Sequence, residues 1–387
     1  MPSPGGSEVY TETVRAGLTS AGDEVRLLTS GAGSAGHGSA DYVAYGTTNV
    51  AAQALLQIVN PFAARTARLA IARFRPDVAF VHLFAFHLSP SVIQALSGVP
   101  TVLSVHDYKI VCPLGSKLLP TGTLCSQPAG RACLRSGCLN WAHWLRDQVR
   151  YAAIARSLRA PSLMLACSRH VQRVLADNGI DADVLTLPVA QPRAAFRRAP
   201  APHPQFVFCG RFAPEKGVSL LVRAFARLLA RVPAARLTLC GDGPIRREVD
   251  AAIRVHGLER QITVTGWLPH DRVDEHLQDA WALVAPSMWA EPLGLVGVEA
   301  VVRGVPVVAT RTGGFGETIE DGVSGLLVPN GDEDALAAAL ERVATGEAFP
   351  AHALDAEVVA RACETHGVEQ HVAELRAHFR RVCSRSS

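Results

Sequence analysis

The chain has 387 residues, of which 48% are hydrophobic and 19% charged, and its formal net charge is +3. That length suits two domains of ordinary size, and that composition builds a sizeable core rather than a disordered chain. The charge is too small to point to nucleic acid. No run approaches the ~18 apolar residues of a membrane span and no signal peptide opens the chain, so a cytoplasmic protein is expected.

In the first half, Gly5-Gly6 precedes Ser7–Leu18, whose apolar spacing predicts an amphipathic helix. Short apolar runs at Val25–Thr29, Val78–His82, Pro100–Val105 and Leu163–Cys167 predict buried strands, with Val184–Leu187 a weaker one. Ala32–Asn49, rich in Gly, Ser and Ala, predicts a loop. His106-Asp107 stands directly after the strand Thr101–Val105. The following loop carries Cys112, Cys125, Cys133 and Cys138. Four thiols in one loop make a candidate structural zinc site, although the spacing lacks paired C-x-x-C; free thiols are the alternative. Disulfides are not expected in a reducing cytosol. Trp141–Arg159 predicts a basic amphipathic helix bearing Trp141, Trp144, Leu145, Ile154 and Leu158. Packing on its own domain is the expected role, and contact with an anionic lipid surface the alternative.

Pro188–Pro204 holds five prolines and predicts an interdomain linker. Alternation of strand and helix then restarts, with strands expected at Phe206–Cys209, Leu237–Cys240, Ile262–Thr265, Leu283–Ala285 and Val305–Ala309. Asp332–Thr345 and His366–Val382 predict helices. This pattern points to parallel α/β architecture in two tandem units, with ligands at the carboxyl ends of the strands. Gly313-Gly-Phe-Gly316 matches a dinucleotide loop only partly, and no P-loop, H-E-x-x-H or G-x-S-x-G is present. Hydride transfer and NTP hydrolysis are therefore disfavoured.

Two loops carry charge at expected strand ends. Gly210-Arg211-Phe-Ala-Pro-Glu-Lys216-Gly217 follows the strand Phe206–Cys209, and its cations suit a diphosphate. The run Glu291-Pro-Leu-Gly-Leu-Val-Gly-Val-Glu299 leads from a strand into a short helix. The backbone N–H groups of Gly294, Leu295 and Val296 would be free donors at the helix start. The two carboxylates would stand ~12 Å apart along a helix. A glycosidase acid/base pair needs roughly 5–10 Å. The spacing favours binding two ends of a long ligand with phosphate between them, as in a nucleotide sugar.

Together these motifs resemble retaining glycosyltransferases of family 4, the group 1 glycosyl transferases with the GT-B fold. The carriers are Pro286-Ser…Glu291-Pro-Leu-Gly-Leu-Val…Glu299-Ala, then Gly304-Val-Pro-Val-Val-Ala, the loop Gly210–Gly217 and Gly241-Asp-Gly-Pro244. The resemblance implies two Rossmann-like domains facing across a cleft. Residues 1–190 would form the acceptor-side domain and 205–362 the nucleotide-sugar domain, with 363–387 a helix packing back on the first.

The resemblance also implies roles. Glu291 would bind donor-sugar hydroxyls and Glu299 the ribose. The N–H groups of Gly294, Leu295 and Val296 would hold the diphosphate, and Arg211 and Lys216 would neutralise it. Gly6 would let the first-domain loop approach the phosphate, Leu268 would lie beside the base, and His106 would line the sugar. The implied reaction is transfer with retention from a nucleoside-diphosphate sugar to a saccharide or lipid-linked acceptor, in polysaccharide or glycoconjugate biosynthesis. No catalytic metal is expected, and peripheral contact with the inner face of the membrane fits a lipid-linked acceptor. A sugar-nucleotide epimerase of the same fold and an inactive nucleotide-sugar-binding module are the rival readings. One departure stands out: the chain opens Met-Pro-Ser-Pro-Gly-Gly where family members carry an apolar strand, so the first strand of the first domain is expected to be missing. A milder one is Val301-Val302, where a small, Ala-rich turn is usual.

Overall fold

A computed structural model describes residues 6–32, 40–85, 87–192, 196 and 198–384. The chain divides into two compact units, Met1–Leu187 with Val368–Ser387, and Pro188–Gly367.

The second unit is one six-stranded parallel sheet. Its strands are β7 (Gln205–Cys209), β8 (Arg236–Cys240), β9 (Ile262–Gly266), β10 (Ala282–Ala285), β11 (Val307–Thr310) and β12 (Gly325–Val328), numbered after the six strands of the first unit. Their spatial order is β12-β11-β10-β7-β8-β9, a doubly wound arrangement whose order reverses between β10 and β7. Side chains alternate across the sheet as the strand period demands. Phe206, Phe208, Leu237 and Leu239 pack under the helices Val218–Leu229 and Glu333–Ala344. Val207, Cys240, Leu283, Ala285, Val307 and Ala309 point to the other face, onto Phe315, Ala300 and Val301. Each large apolar side chain so buried contributes about 1.5–3 kcal/mol.

The linker expectation changes here. In Pro188–Pro204, Val189 is buried, and the Arg198 guanidinium donates to the carbonyls of Leu277, Gln278 and Ala280. Burial lowers Arg198 to about 10. The segment is thus bound to the second unit, because its Arg and Val find partners that composition alone could not show.

The first unit holds β1 (Leu28–Ser30) paired with β2 (Tyr42–Ala44), and a separate parallel sheet β3-β4-β5-β6. The latter four are Ala79–His82, Thr101–Val105, Leu163–Ala166 and Asp183–Val184. Among the described residues no strand joins the two sheets. Side chains of β4 are fully buried, whereas those of β3, at the edge nearest that break in order, are half-buried. Gly5 lies outside the described residues, and Gly6 opens the helix Gly6–Ser20. The helix Val368–Ser384 packs on Gly6–Ser20 and on β4.

Several local expectations are corrected. Ala32–Asn49 contains β2, a three-residue strand too short to give a period-2 signal, while residues 33–39 lie outside the described set. β1 begins at Leu28 rather than Val25, and β6 is confined to Asp183–Val184. β12 was not expected at all. The helix Trp141–Ser157 buries Asp147, Arg150, Ile154 and Ser157, and leaves Trp141, Leu145 and Val149 more than half exposed. Arg150 donates to Ala85 O and Asp147 accepts from Arg146, so paired polar groups occupy the face that hydropathy assigned to Trp and Leu.

Candidate functional site

The order reversal in the second unit sits between β10 and β7, and the loops that leave these two strands meet side chain to side chain. Lys216, at the end of the β7 loop, places Nζ 2.7 Å from Glu291 Oε1 in the β10 loop. The Glu291 side chain is 8% exposed and that of Lys216 26%. Ser287 Oγ donates to the same carboxylate oxygen at 2.6 Å, and Thr310 Oγ1, at the end of β11, donates to Ser287 O at 2.6 Å. The Lys216 ammonium also stands 5.2 Å from the Trp289 ring centroid. A carboxylate this buried needs such partners; removing one would leave an uncompensated charge.

Backbone contacts fix the same loop from three further directions. Met288 N donates to Glu215 O, Asn330 Nδ2 to Met288 O and Gly314 N to Glu291 O. Gly313 has φ +58, and a Cβ there would lie 2.2 Å from Glu291 O, so only glycine lets this turn close on the Glu291 backbone.

Arg211 is held apart from Lys216: its Nη2 donates to Glu215 Oε1 at 2.5 Å, and its side chain is 56% exposed. The helix Leu295–Val301 starts at the Gly294 cap. The N–H groups of Gly297 and Val298 donate to Gly294 O, so those of Leu295 and Val296 precede the first helical bonds. Glu299 lies on this helix, half-buried, with its carbonyl accepting from Arg303 Nη1 at 2.9 Å. Its charge is felt by the Cys209 thiol at the end of β7, where burial and Cys240 act more strongly. Leu268, two residues past β9, is partly buried against the core. The second unit thus gathers Lys216, Glu291, Glu299 and the start of the helix Leu295–Val301 around the carboxyl ends of β7 and β10.

His106 and Gly6 belong to the first unit. His106 follows β4, with Nε2 2.8 Å from Ser104 Oγ. Its ring stacks on His82 at 5.5 Å and meets the edge of Tyr10 at 4.6 Å. Burial first, then His82 and His371, hold its imidazole well below the usual value, so it is neutral at pH 7.

The four loop cysteines are free thiols. They are close enough that burial and then Cys133, Cys125 and Cys112 push the Cys138 thiol up. Yet among the described residues no group of three or more His, Cys, Asp or Glu side chains is placed to hold a metal ion. The thiols sit on separate short pieces: the turn after β4, the strand-like return at Leu124, the helix Arg131–Arg135 and the turn after it. Without a C-x-x-C knuckle, no two share one turn, and Cys125 Sγ faces Gln127 O at 3.8 Å instead.

Two supports were missed in the sequence. Ser287 lies inside the quoted Pro286-Ser…Glu291 run, so its spacing of four from Glu291 was the available signal. The buried pair Arg303–Asp274, 2.6 Å apart, ties the end of the helix Leu295–Val301 to the helix His270–Asp279. Its partners are 29 residues apart and left no local pattern.

Comparison with known proteins agrees with this geometry. A family model described as "Glycosyl transferases group 1" matches residues 194–356, and one described as "Glycosyltransferase Family 4" matches residues 4–188. Among curated relatives, an alpha-D-kanosaminyltransferase of Streptomyces kanamyceticus is 28% identical over 66% of this chain and 64% of the relative. A 2-deoxystreptamine N-acetyl-D-glucosaminyltransferase of Streptomyces fradiae is 32% identical over 68% of this chain and 61% of the relative. The matches therefore span somewhat under two thirds of these relatives' length. Among solved structures, sucrose-phosphate synthase from Thermosynechococcus elongatus superposes with TM-score 0.76 at 20% identity, covering 98% of this chain and 94% of that one. HepE of Anabaena in complex with UDP-glucose gives TM-score 0.67 at 20% identity, covering 98% and 97%. These structures share the GT-B fold of two Rossmann-like α/β units. With one family model on each unit, the chain belongs to the family 4, group 1 glycosyltransferases.

Proposed function

We propose that this protein transfers a sugar, with retention of anomeric configuration, from a nucleoside-diphosphate sugar to a saccharide or lipid-linked acceptor. The observation that carries the reading is the Lys216–Glu291 pair across the order reversal of the second sheet. It puts a cation and an oriented carboxylate where doubly wound sheets bind nucleotides. In this reading Glu299 binds the ribose, and Leu268 lies beside the base. The N–H groups of Gly294, Leu295 and Val296 hold the diphosphate, and Lys216 and Arg211 offset its growing charge as the sugar departs. Glu291, fixed by Ser287 and Lys216, binds sugar hydroxyls and orients the anomeric carbon. His106 lines the sugar as a neutral imidazole, and Gly6 admits the phosphate on the first-unit side. No metal is required, because the cations and helix N–H groups meet the diphosphate. Front-face displacement then accounts for retention.

The relatives' names, both sugar transferases, support the reaction class, and the UDP-glucose complex of HepE makes UDP the first nucleotide to try. The exposed stripe Trp141, Leu145 and Val149, spaced four apart on one helix face, supports contact with a lipid-borne acceptor. Proton NMR of the product from a UDP-, GDP- or ADP-α-sugar and a panel of glycoside acceptors tests the proposal. An α-linked product supports it, and a β-linked product refutes retention.

A further inference from the structure

β7 and β8 are paired in register, and their last residues, Cys209 and Cys240, lie directly opposite each other. Neighbouring strands stand ~4.7–4.9 Å apart, within the ~4.4–6.8 Å that a disulfide spans between Cα atoms. Both cysteines point to the same face of the sheet, toward the core that holds Val207 and Ala285. Both are free thiols, near enough that the pair raises Cys209 and lowers Cys240 from the ordinary thiol value. On its other side β8 shifts register against β9 between Leu239 and Cys240. Each cysteine precedes a loop at the carboxyl end of its strand: Gly210-Arg211 of the proposed donor site follows one, and Gly241-Asp242, which packs on it, follows the other.

We propose that Cys209 and Cys240 form a reversible disulfide that switches off donor binding; this rests on the donor site proposed above. The two loops have no slack to absorb the bond. Phe212 N donates to Asp242 O at 2.8 Å, Ile245 N to Phe212 O at 3.2 Å and Gly210 N to Cys240 O at 3.0 Å. A Cβ on Gly241 would lie 1.9 Å from Gly210 O. Drawing the sulfurs to bonding distance displaces these loops, and with them Arg211 and Lys216.

The oxidant is a hydroperoxide, small enough to reach a pair of which Cys209 is partly exposed and Cys240 only 5%. The neighbouring Cys209 lowers the Cys240 thiol, which favours Cys240 as the sulfur that attacks the peroxide. Its sulfur takes one oxygen from hydrogen peroxide, giving a sulfenic acid and one water once the released hydroxide is protonated. The Cys209 sulfur then displaces that oxygen as a second water, and the S–S bond closes. Two thiols lose two electrons and the peroxide gains them; an added dithiol reverses the step.

The test treats the full chain with hydrogen peroxide, blocks remaining thiols and maps it with trypsin. Calorimetry with UDP, GDP and ADP runs before oxidation, after it and after dithiothreitol. The expected result is a linked peptide joining Ala199–Arg211 to Leu237–Arg246. With it should come a tenfold or greater loss of nucleotide affinity that dithiothreitol restores. Cys209→Ala and Cys240→Ala should each bind like the reduced protein before and after peroxide. Absence of the linked peptide while the cysteines of the 112–138 loop oxidise overturns the pairing. A linked peptide with unchanged affinity overturns the switch. If the reduced chain binds none of the three nucleotides, the donor site itself fails, a result seen before any oxidant is added.

Discussion

Lys216 Nζ lies 2.7 Å from Glu291 Oε1, although the two residues are 75 apart in sequence. Each stands at the end of a loop leaving one of the two strands where the sheet order reverses. The pair therefore joins the two halves of the nucleotide-binding fold at their meeting point. It also holds the buried carboxylate in one orientation, together with Ser287.

Removing either partner should hurt the reaction more than the fold. Lys216→Ala is expected to lower the transfer rate roughly 10²-fold or more, the usual loss when a group stabilising developing charge is deleted. Glu291→Gln keeps the shape and the Ser287 bond but loses the charge. It should lower kcat more than it weakens nucleotide binding. Steady-state kinetics beside thermal melts separate the two effects. A Lys216→Ala enzyme with wild-type kcat would remove Lys216 from the mechanism.

Ser287→Ala removes the hydroxyl that donates to Glu291 Oε1 at 2.6 Å. One neutral donor to a charged acceptor is worth about 1.5–3 kcal/mol, so kcat should fall roughly 10- to 100-fold. Because Ser287 acts through Glu291, KM for the donor should change little, and Ser287→Thr should restore part of the rate. Equal losses in kcat in Ser287→Ala and Ser287→Thr, with lowered melting temperature in both, would reduce Ser287 to a packing role.

Acid should weaken the first unit through its buried histidines. His371 Nδ1–H donates to Thr186 O, so Nε2 accepts from the Tyr10 hydroxyl, and burial holds the imidazole at about 4 against an ordinary 6.5. His106 and His82 face the same Tyr10 ring, and Glu374 acts on His371 from its own helix. The unfolded chain takes up the proton first. His371 therefore contributes its full stability above pH 6.5 and loses it as pH falls toward 4, by about 3 kcal/mol at ~1.4 kcal/mol per unit. Urea melts from pH 7.5 to 4.5 should show a shallower decline for His371→Gln than for the wild type. Parallel curves would assign the acid loss to other groups.

Chelation should leave the reaction intact. Lys216 and Arg211 supply positive charge at the proposed diphosphate position. Transfer after EDTA and gel filtration should match the untreated rate. Loss of activity that Mg²⁺ restores would replace these cations with a metal.

The second unit was legible because β7, β10 and β11 are buried apolar runs and the first two lead into loops with their own chemical signature. Phe206–Cys209 is followed by Arg211 and Lys216, and Leu283–Ala285 by Glu291. The ion pair between those loops was not legible, since a local pattern carries no information on partners 75 residues apart. β2, three residues long inside a Gly-, Ser- and Ala-rich stretch, is too short to show a period. The helix Trp141–Ser157 and its buried Ile154 were legible, but the partner of Arg150, the carbonyl of Ala85 65 residues away, was not. The four loop cysteines do come near one another, as their order suggested.

The most direct test of the donor site is calorimetric titration of the reduced chain with UDP, GDP and ADP, in the wild type and in Glu299→Ala. A charge-assisted hydrogen bond to the ribose is worth about 1.5–3 kcal/mol. The wild type should bind at least one of the three nucleotides with one-to-one stoichiometry, and Glu299→Ala should bind it tenfold or more weakly. A wild-type chain that binds none of them, or a Glu299→Ala chain that binds equally well, would contradict the assignment of the β7 and β10 loops as a nucleotide-sugar site.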